Sequence, residues 1–180
     1  MAGAQGKPYG VWEATAARMV DAQAPGVGRM IQELPAVVAS GDGWQERLLQ
    51  RLARLYLLSE AYERLSALPD DAQADVRAAI GWAQSQEEVL AQAGVRDEWV
   101  VLGARMEEEA RLRLRRTWLW GRETSRAALL LDFAAGRQPL EPGLPPGVCL
   151  DAELVFFPGA YPLRALVKIR HGDVRRAQAM

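Results

Sequence analysis

The stretch Arg111–Gly121, RLRLRRTWLWG, gathers four arginines and two tryptophans in eleven residues. A guanidinium group can grip a carboxylate or a phosphate with paired hydrogen bonds. Arginines interleaved with aromatic rings could track phosphates and stack bases. The same two residue types are also common anchors of protein interfaces. Arg111, Arg113, Arg115, Arg116 and the nearby Arg122 are therefore the candidate surface for a protein partner or, alternatively, for nucleic acid. The competing reading puts the arginine face in water and Trp118 and Trp120 in the core. Glu107, Glu108 and Glu109 lie close by and blunt any positive field.

Other residue types that carry chemistry are sparse. The single cysteine, Cys149, and the single histidine, His171, cannot assemble the four-ligand set of a structural zinc site. Cys149 has no base beside it and reads as a small apolar filler. His171 sits beside Gly172 in a polar tail, far from the setting of a Ser–His–Asp triad. The carboxylates Asp70 and Asp71 read as a helix start, and Glu107–Glu109 as a solvated turn. Gly26-Val27-Gly28 lacks the preceding strand, the third glycine and the lysine of a phosphate loop. No catalytic residue, cofactor or metal site is expected, and the chain reads as a non-enzyme.

The bulk numbers fit this. Net charge is −1, so nothing pulls the whole chain toward nucleic acid or a membrane. Residues 1–96 carry net −3 and residues 97–180 net +2. A lone cysteine, no apolar run long enough to span a bilayer and no signal-like N-terminus lead to the expectation of a cytoplasmic protein without membrane contact.

The elements expected to position the arginine stretch fall into two halves. Residues 1–96 read as helical. Trp12, Ala16, Met19 and Val20 share one face. Val27, Met30, Ile31 and Leu34 form the next stripe after Pro25, and Pro35 kinks or ends that helix. Trp44–Leu68 carries the widest apolar face, with Leu48, Leu52, Leu55, Ser59 and Tyr62 in steps of four and three; such a face belongs to a bundle. Asp70 opens a further helix with Val76, Ile80 and Trp82 inward. Ser85 and Glu88 form a capping-box pattern ahead of Gln86–Ala93, with Gly94 as its C-terminal stop. These helices could be read as a helix-turn-helix, but none has a basic recognition face.

Residues 97–172 read as sheet, and residues 173–180 as a polar tail. Trp99–Leu102, Ala127–Phe133 and Leu150–Phe157 are apolar strand runs, and Ala127–Phe133 suits a central strand. Leu163–Arg170 alternates and suits an edge strand, reached through Pro158–Pro162. Met106–Arg116 admits a helix or two strands joined near Glu108, and its alternation of Leu112, Leu114, Trp118 and Trp120 with Arg111, Arg113 and Arg115 favours strands. The expected architecture is α+β: an N-terminal helical bundle followed by a three- to five-stranded antiparallel sheet, sharing one core.

Trp12–Pro25 (WEATAARMVDAQAP), Ile80–Trp82 (IGW) with Glu87–Leu90 (EEVL), Gly94–Gly103 (GVRDEWVVLG), Arg116–Gly121 (RTWLWG) and Ala152–Val167 (AELVFFPGAYPLRALV) stand in an order that resembles the C-terminal region of bacterial SWIM zinc-finger family proteins. The family's CxCx(n)CxH zinc motif lies upstream of the resembling region and is absent from this sequence, so no ligand role passes to any residue. The expectation is a fragment, a mis-started reading frame or a stand-alone paralogue of the post-zinc region. SWIM domains are associated with binding DNA or proteins. The resemblance implies an accessory or adaptor role, with a MoxR-type AAA+ ATPase or a von Willebrand A protein as partner.

Overall fold

A computed structural model describes residues 9–82, 84–109, 112–136, 138, 140 and 142–177. The chain divides into two compact units, Met1–Ala83 and Gln84–Met180. The first is helical and the second is mainly sheet, so the chain is α+β.

The helical unit contains α1 (Tyr9–Asp21), α2 (Pro25–Gln32), α3 (Leu34–Val38), α4 (Trp44–Glu63) and α5 (Asp70–Ile80), with a 3-10 turn at Leu65–Ala67 before α5. Pro25 starts α2, where a missing N–H costs nothing. Pro35 cannot donate to the preceding turn, so α3 begins as a separate short helix joined to α2 through Glu33. Ala16, Ile31, Leu34, Val76 and Ile80 are buried. Trp82 is half-exposed; its Nε1 donates to the Gln23 carbonyl at 2.6 Å, and its ring meets Tyr62 edge to face at 5.7 Å.

Gly26 and Gly28 belong to this packing rather than to any phosphate loop. Both are buried. A Cβ on Gly26 would overlap the Ala79 carbonyl oxygen, and one on Gly28 would meet the Ala16 carbonyl at 3.0 Å. Bare backbone at these positions lets α2 approach α5 and α1 closely. The expected bundle face of α4 is only partly used. None of its residues is buried. Leu48, Leu55 and Leu58 are half-covered, whereas Leu49, Leu52, Tyr56 and Leu57 face outward.

The second unit holds α6 (Gln86–Leu90) and strands β1 (Val95–Glu109), β2 (Leu112–Gly121), β3 (Ala127–Ala135), β4 (Val148–Phe156), β5 (Arg164–Arg170) and β6 (Arg175–Arg176). The capping box is formed: Ser85 Oγ accepts from the Glu88 N–H at 3.2 Å, and Glu88 Oε2 accepts from the Ser85 N–H at 2.7 Å. The helix ends at Leu90, earlier than Gly94 suggests. Gly94 N–H donates instead to Glu153 Oε1 at 3.1 Å, tying the entry of β1 to β4. Val89 is fully buried, and α6 packs on β4 and β5.

The strands run β1-β2-β3-β5-β4-β6, and β1 also pairs with β4. The first five strands therefore form a closed circuit. β4, β1, β2 and β3 lie in Greek-key order, and β5 fills the gap between β4 and β3. The sheet is mixed, not purely antiparallel, and has six strands rather than three to five. The reason is topological. The 136–147 connection carries the chain back to the free side of β1, where β4 pairs antiparallel. The β4–β5 hairpin then lays β5 beside β3 in the same direction, at Leu129↔Arg164 and Leu130↔Ala165. β5 is thus not an edge strand. Its alternation reflects a pairing with β3 so short that Ile169 stays exposed. The polar tail also contributes structure: Arg175 and Arg176 pair with Cys149 and Val148.

One strand serves two neighbours because β1 is long and bent. Its register with β2 shifts between Val101 and Gly103, leaving Leu102 as an extra, exposed residue. A bulge of this kind bends a strand and sharpens its twist. Inside the barrel lie Trp99, Val101, Leu119, Ala128, Leu150, Ala152, Leu154, Phe156 and Ala165. Trp99 has no exposed surface, and its Nε1 donates to the Ala152 carbonyl at 3.0 Å.

Gly26→Ala is expected to destabilise the helical unit by roughly 1–3 kcal/mol, the usual cost of forcing atoms into a packed contact. Chemical denaturation of the full chain reads this directly, and an unchanged midpoint would contradict the close approach of α2 and α5.

Candidate functional site

The arginine stretch forms a strand, as its alternation favours. The ladder of β1 and β2 runs on to Glu109↔Leu112, so Glu108 is not at the join of the strands but faces Arg113. Arg111 lies outside the described residues. The other candidates do not share one surface. On β2, Arg113, Arg115, Thr117 and Leu119 point to the barrel side, because Leu119 is in the core. Leu114, Arg116, Trp118 and Trp120 point outward. The expected arrangement of arginines out and tryptophans in is thus reversed for Arg113 and Arg115. Both tryptophans are half-buried on the outer side.

Each described candidate arginine also has an acceptor. The Arg115 side chain is 13% exposed and pairs with Asp132, its cross-strand partner, at 2.9 Å and 3.0 Å through Nη2 and Nε. Gly143 lies over it: a Cβ there would meet Arg115 Nη1 at 2.7 Å. This pair forms one wall of a cavity of about 460 Å³, lined also by Thr117, Leu130, Leu144 and Val167. Arg113 donates to the Gln138 carbonyl, and Arg116 pairs with Glu107. Arg122 pairs with Glu98 at 2.9 Å and holds the β2–β3 turn to β1. A phosphate would have to displace a carboxylate at three of these four groups.

The same turn is anchored from within. Asp97 is buried on the barrel side of β1. Its carboxylate accepts from the Thr124 hydroxyl at 2.6 Å, the Thr124 N–H at 2.9 Å and the Glu123 N–H at 3.1 Å. Burial pushes this carboxyl up, but the hydrogen bonds from Thr124, Glu123 and the Glu98 amide outweigh it and hold Asp97 below the ordinary carboxylate range. Gly121 leaves room for the carboxylate, since any Cβ there would overlap Asp97 Oδ2. Asp97 is thus a structural anchor.

Cys149 is buried, and burial, then the neighbouring Glu98 charge, push its thiol up. It stays protonated and poorly nucleophilic. His171 is exposed. Among the described residues, no group of three His, Cys, Asp or Glu side chains could hold a metal ion, and no helix is long and apolar enough to cross a membrane.

Two arginines outside the singled-out stretch differ from it. Arg126 stacks over Phe156 at 3.6 Å and Arg164 over Phe157 at 4.0 Å, and neither has a carboxylate partner among the described residues. In sequence they look like ordinary strand-end charges. Arg126 lies over a ring of the barrel interior, at its end, and Arg164 over a ring of the outer side.

Residues 1–80 match the model of the SWIM-associated four-helix bundle domain. This agrees with the resemblance to the C-terminal region of SWIM family proteins. With α2 and α3 nearly continuous, the helical unit has the four helical segments that this description names. No curated protein and no solved structure matches the chain.

Two outcomes check this geometry. Arg115→Glu should cost roughly 2–3 kcal/mol, because it puts two carboxylates together inside a half-closed site. Arg116→Glu, on the more exposed face, should cost less than half of that; equal losses would contradict the placement. Asp97 has a folded pKa below its unfolded value of about 3.9, so its contribution is present above that pH and lost as pH falls through the folded pKa. Asp97→Asn should therefore cost roughly 2–3 kcal/mol at pH 7, and its deficit against the parent should shrink in unfolding measurements near pH 3. A deficit constant with pH would contradict the anchor.

Proposed function

We propose that the chain is a non-catalytic accessory module that binds a protein partner through the outer face of α4. The observation that carries this is the row Leu49, Leu52, Tyr56 and Leu57. Leu49 and Tyr56 are 66% and 64% exposed on a helix that contributes nothing to the buried core. Large apolar side chains exposed together mark interaction surfaces more often than chance. The bundle match supports the accessory role, since that domain is described by its architecture and not by a reaction. The resemblance stated from sequence names the partner class: a MoxR-type AAA+ ATPase or a von Willebrand A protein. Nucleic-acid binding through Arg113, Arg115, Arg116 and Arg122 is the weaker reading, because three of these guanidinium groups face carboxylates and Arg113 donates to a carbonyl.

The test is binding of the full chain to a MoxR-type AAA+ ATPase and to a von Willebrand A protein from the same cells, with and without Leu49→Glu/Tyr56→Glu. The parent should bind one of them, and the double variant should bind at least tenfold more weakly at an unchanged melting temperature. Undiminished binding by a folded double variant would sink the assignment of this face.

A further inference from the structure

A groove of about 330 Å³ opens at the barrel end where the β2–β3 turn meets the β4–β5 loop. It is lined by Trp120, Thr124, Ser125, Arg126, Tyr161 and Pro162, among others. The volume falls in the range of small-ligand clefts, about 300–1,000 Å³. Tyr161 is 89% exposed, an unusual position for an aromatic ring with nothing to cover it. Arg126 lies with one face on Phe156, which fixes the guanidinium plane without neutralising its charge. Ser125 holds a positive φ of 50°, so the turn bearing Arg126 has a defined and not merely slack shape.

The adjoining row extends the same chemistry. Trp118 faces Leu129, and Leu129 faces Arg164 in the parallel pairing with β5. Cross-strand partners share a face, so Trp118, Leu129 and Arg164 lie side by side on the outer surface. Trp120 and Ala127 form the neighbouring row, at the groove. Arg164 rests on Phe157, and its Nε has no hydrogen-bond acceptor among the described residues. Trp118 and Arg164 thus share one rung of the outer surface and Trp120 stands on the next, with Arg126 at the adjoining barrel end over Phe156; neither arginine has a carboxylate partner among the described residues. By contrast, Arg96, Arg115, Arg116 and Arg122 each hold a carboxylate.

We propose that this groove binds single-stranded nucleic acid, with a base stacked on Trp120 or Tyr161 and the flanking phosphates on Arg126 and Arg164. Aromatic platforms beside cationic groups are the common means of holding unpaired bases without reading sequence. Small five-stranded Greek-key barrels use their strand 2–3 face, flanked by the β4–β5 loop, for oligonucleotides. That precedent is secondary to the side chains themselves. Acidic peptides satisfy the arginines but give the exposed ring of Tyr161 no planar partner, which is why a nucleic acid fits better. The groove is built from none of the α4 residues and goes beyond the accessory role assigned to that helix.

The probes are fluorescein-labelled twelve-residue oligothymidine and oligouridine, titrated with the full chain at 50 and 200 mM salt. At 50 mM both should bind, and a duplex of equal length should bind more weakly because its bases are already stacked. Log K should fall by about 0.7 for each phosphate neutralised, so a slope between one and two is expected. Arg126→Gln and Tyr161→Ala should each weaken binding roughly tenfold. Tyr161 is so exposed that its loss leaves the fold intact, which keeps the test valid should Arg126→Gln loosen the barrel. Arg113→Gln and Leu49→Glu/Tyr56→Glu should leave the affinity unchanged, which separates this groove from the α4 reading. Absence of binding at 50 mM salt would overturn the proposal, as would affinity indifferent to Tyr161→Ala. Displacement of the oligonucleotides by equimolar polyglutamate would overturn it in favour of an acidic peptide.

Discussion

The barrel depends on β1 pairing with two neighbours at once. Trp99 and Val100 face Gly121 and Trp120 of β2 on one side and Leu150 and Cys149 of β4 on the other. This double pairing removes the two open edges that a five-stranded sheet would otherwise present, and open edges are sites of aggregation. It also creates an interior, since a flat sheet with the same residues would expose one side of Trp99 to water. The bulge at Leu102 makes it possible, because a straight fifteen-residue strand could not leave β4 and follow β2 around the curve. Asp97 and Arg122 then fix the β2–β3 turn to the same strand from inside and outside. Helix α6 and the Gly94–Glu153 hydrogen bond fix its beginning.

The pleat of β2, and the partners that the barrel sets beside it, decide what the arginines can do. Alternation sends Arg113 and Arg115 to the side of the 136–147 connection and Arg116 outward beside Glu107. Burying a cation without a partner is costly, so the inward Arg115 is accompanied by Asp132. At the other end Arg126 and Arg164 have no carboxylate partner among the described residues, and each rests on a phenylalanine ring. An aromatic face supports a cation without neutralising it. Charge available to a ligand therefore sits away from the densest run of arginine.

Local structure was legible in the sequence where a local rule decides it. The capping box of Ser85 and Glu88, the break at Pro35 and the strand character of the arginine stretch all follow from neighbours a few residues apart, whereas Glu108, expected at the join of the two strands, lies inside the ladder opposite Arg113. The succession of helices and then sheet was legible for the same reason. The parallel contact of β3 with β5 was not, because it depends on which side of β1 the chain returns to after a twelve-residue loop, and no residue in that loop encodes a side. The half-polar pattern of β5 resembles that of an edge strand, although two neighbours flank it. The apolar residues of α4 announced a helix correctly but overstated its burial, since periodicity records which face is apolar and not what covers it. Arg126 and Tyr161 are far apart in sequence and meet only through the barrel, so nothing in their local setting marked them out.

Amide hydrogen exchange along β1, followed residue by residue, tests the closed barrel most directly. If β1 is held on both sides, the amides of Trp99, Val100 and Val101 exchange only with global unfolding, in step with β2 and β4. Exchange of residues 95–100 at the rate of a fraying edge, while residues 103–109 stay protected, would show that the β1–β4 seam is open and would contradict the account.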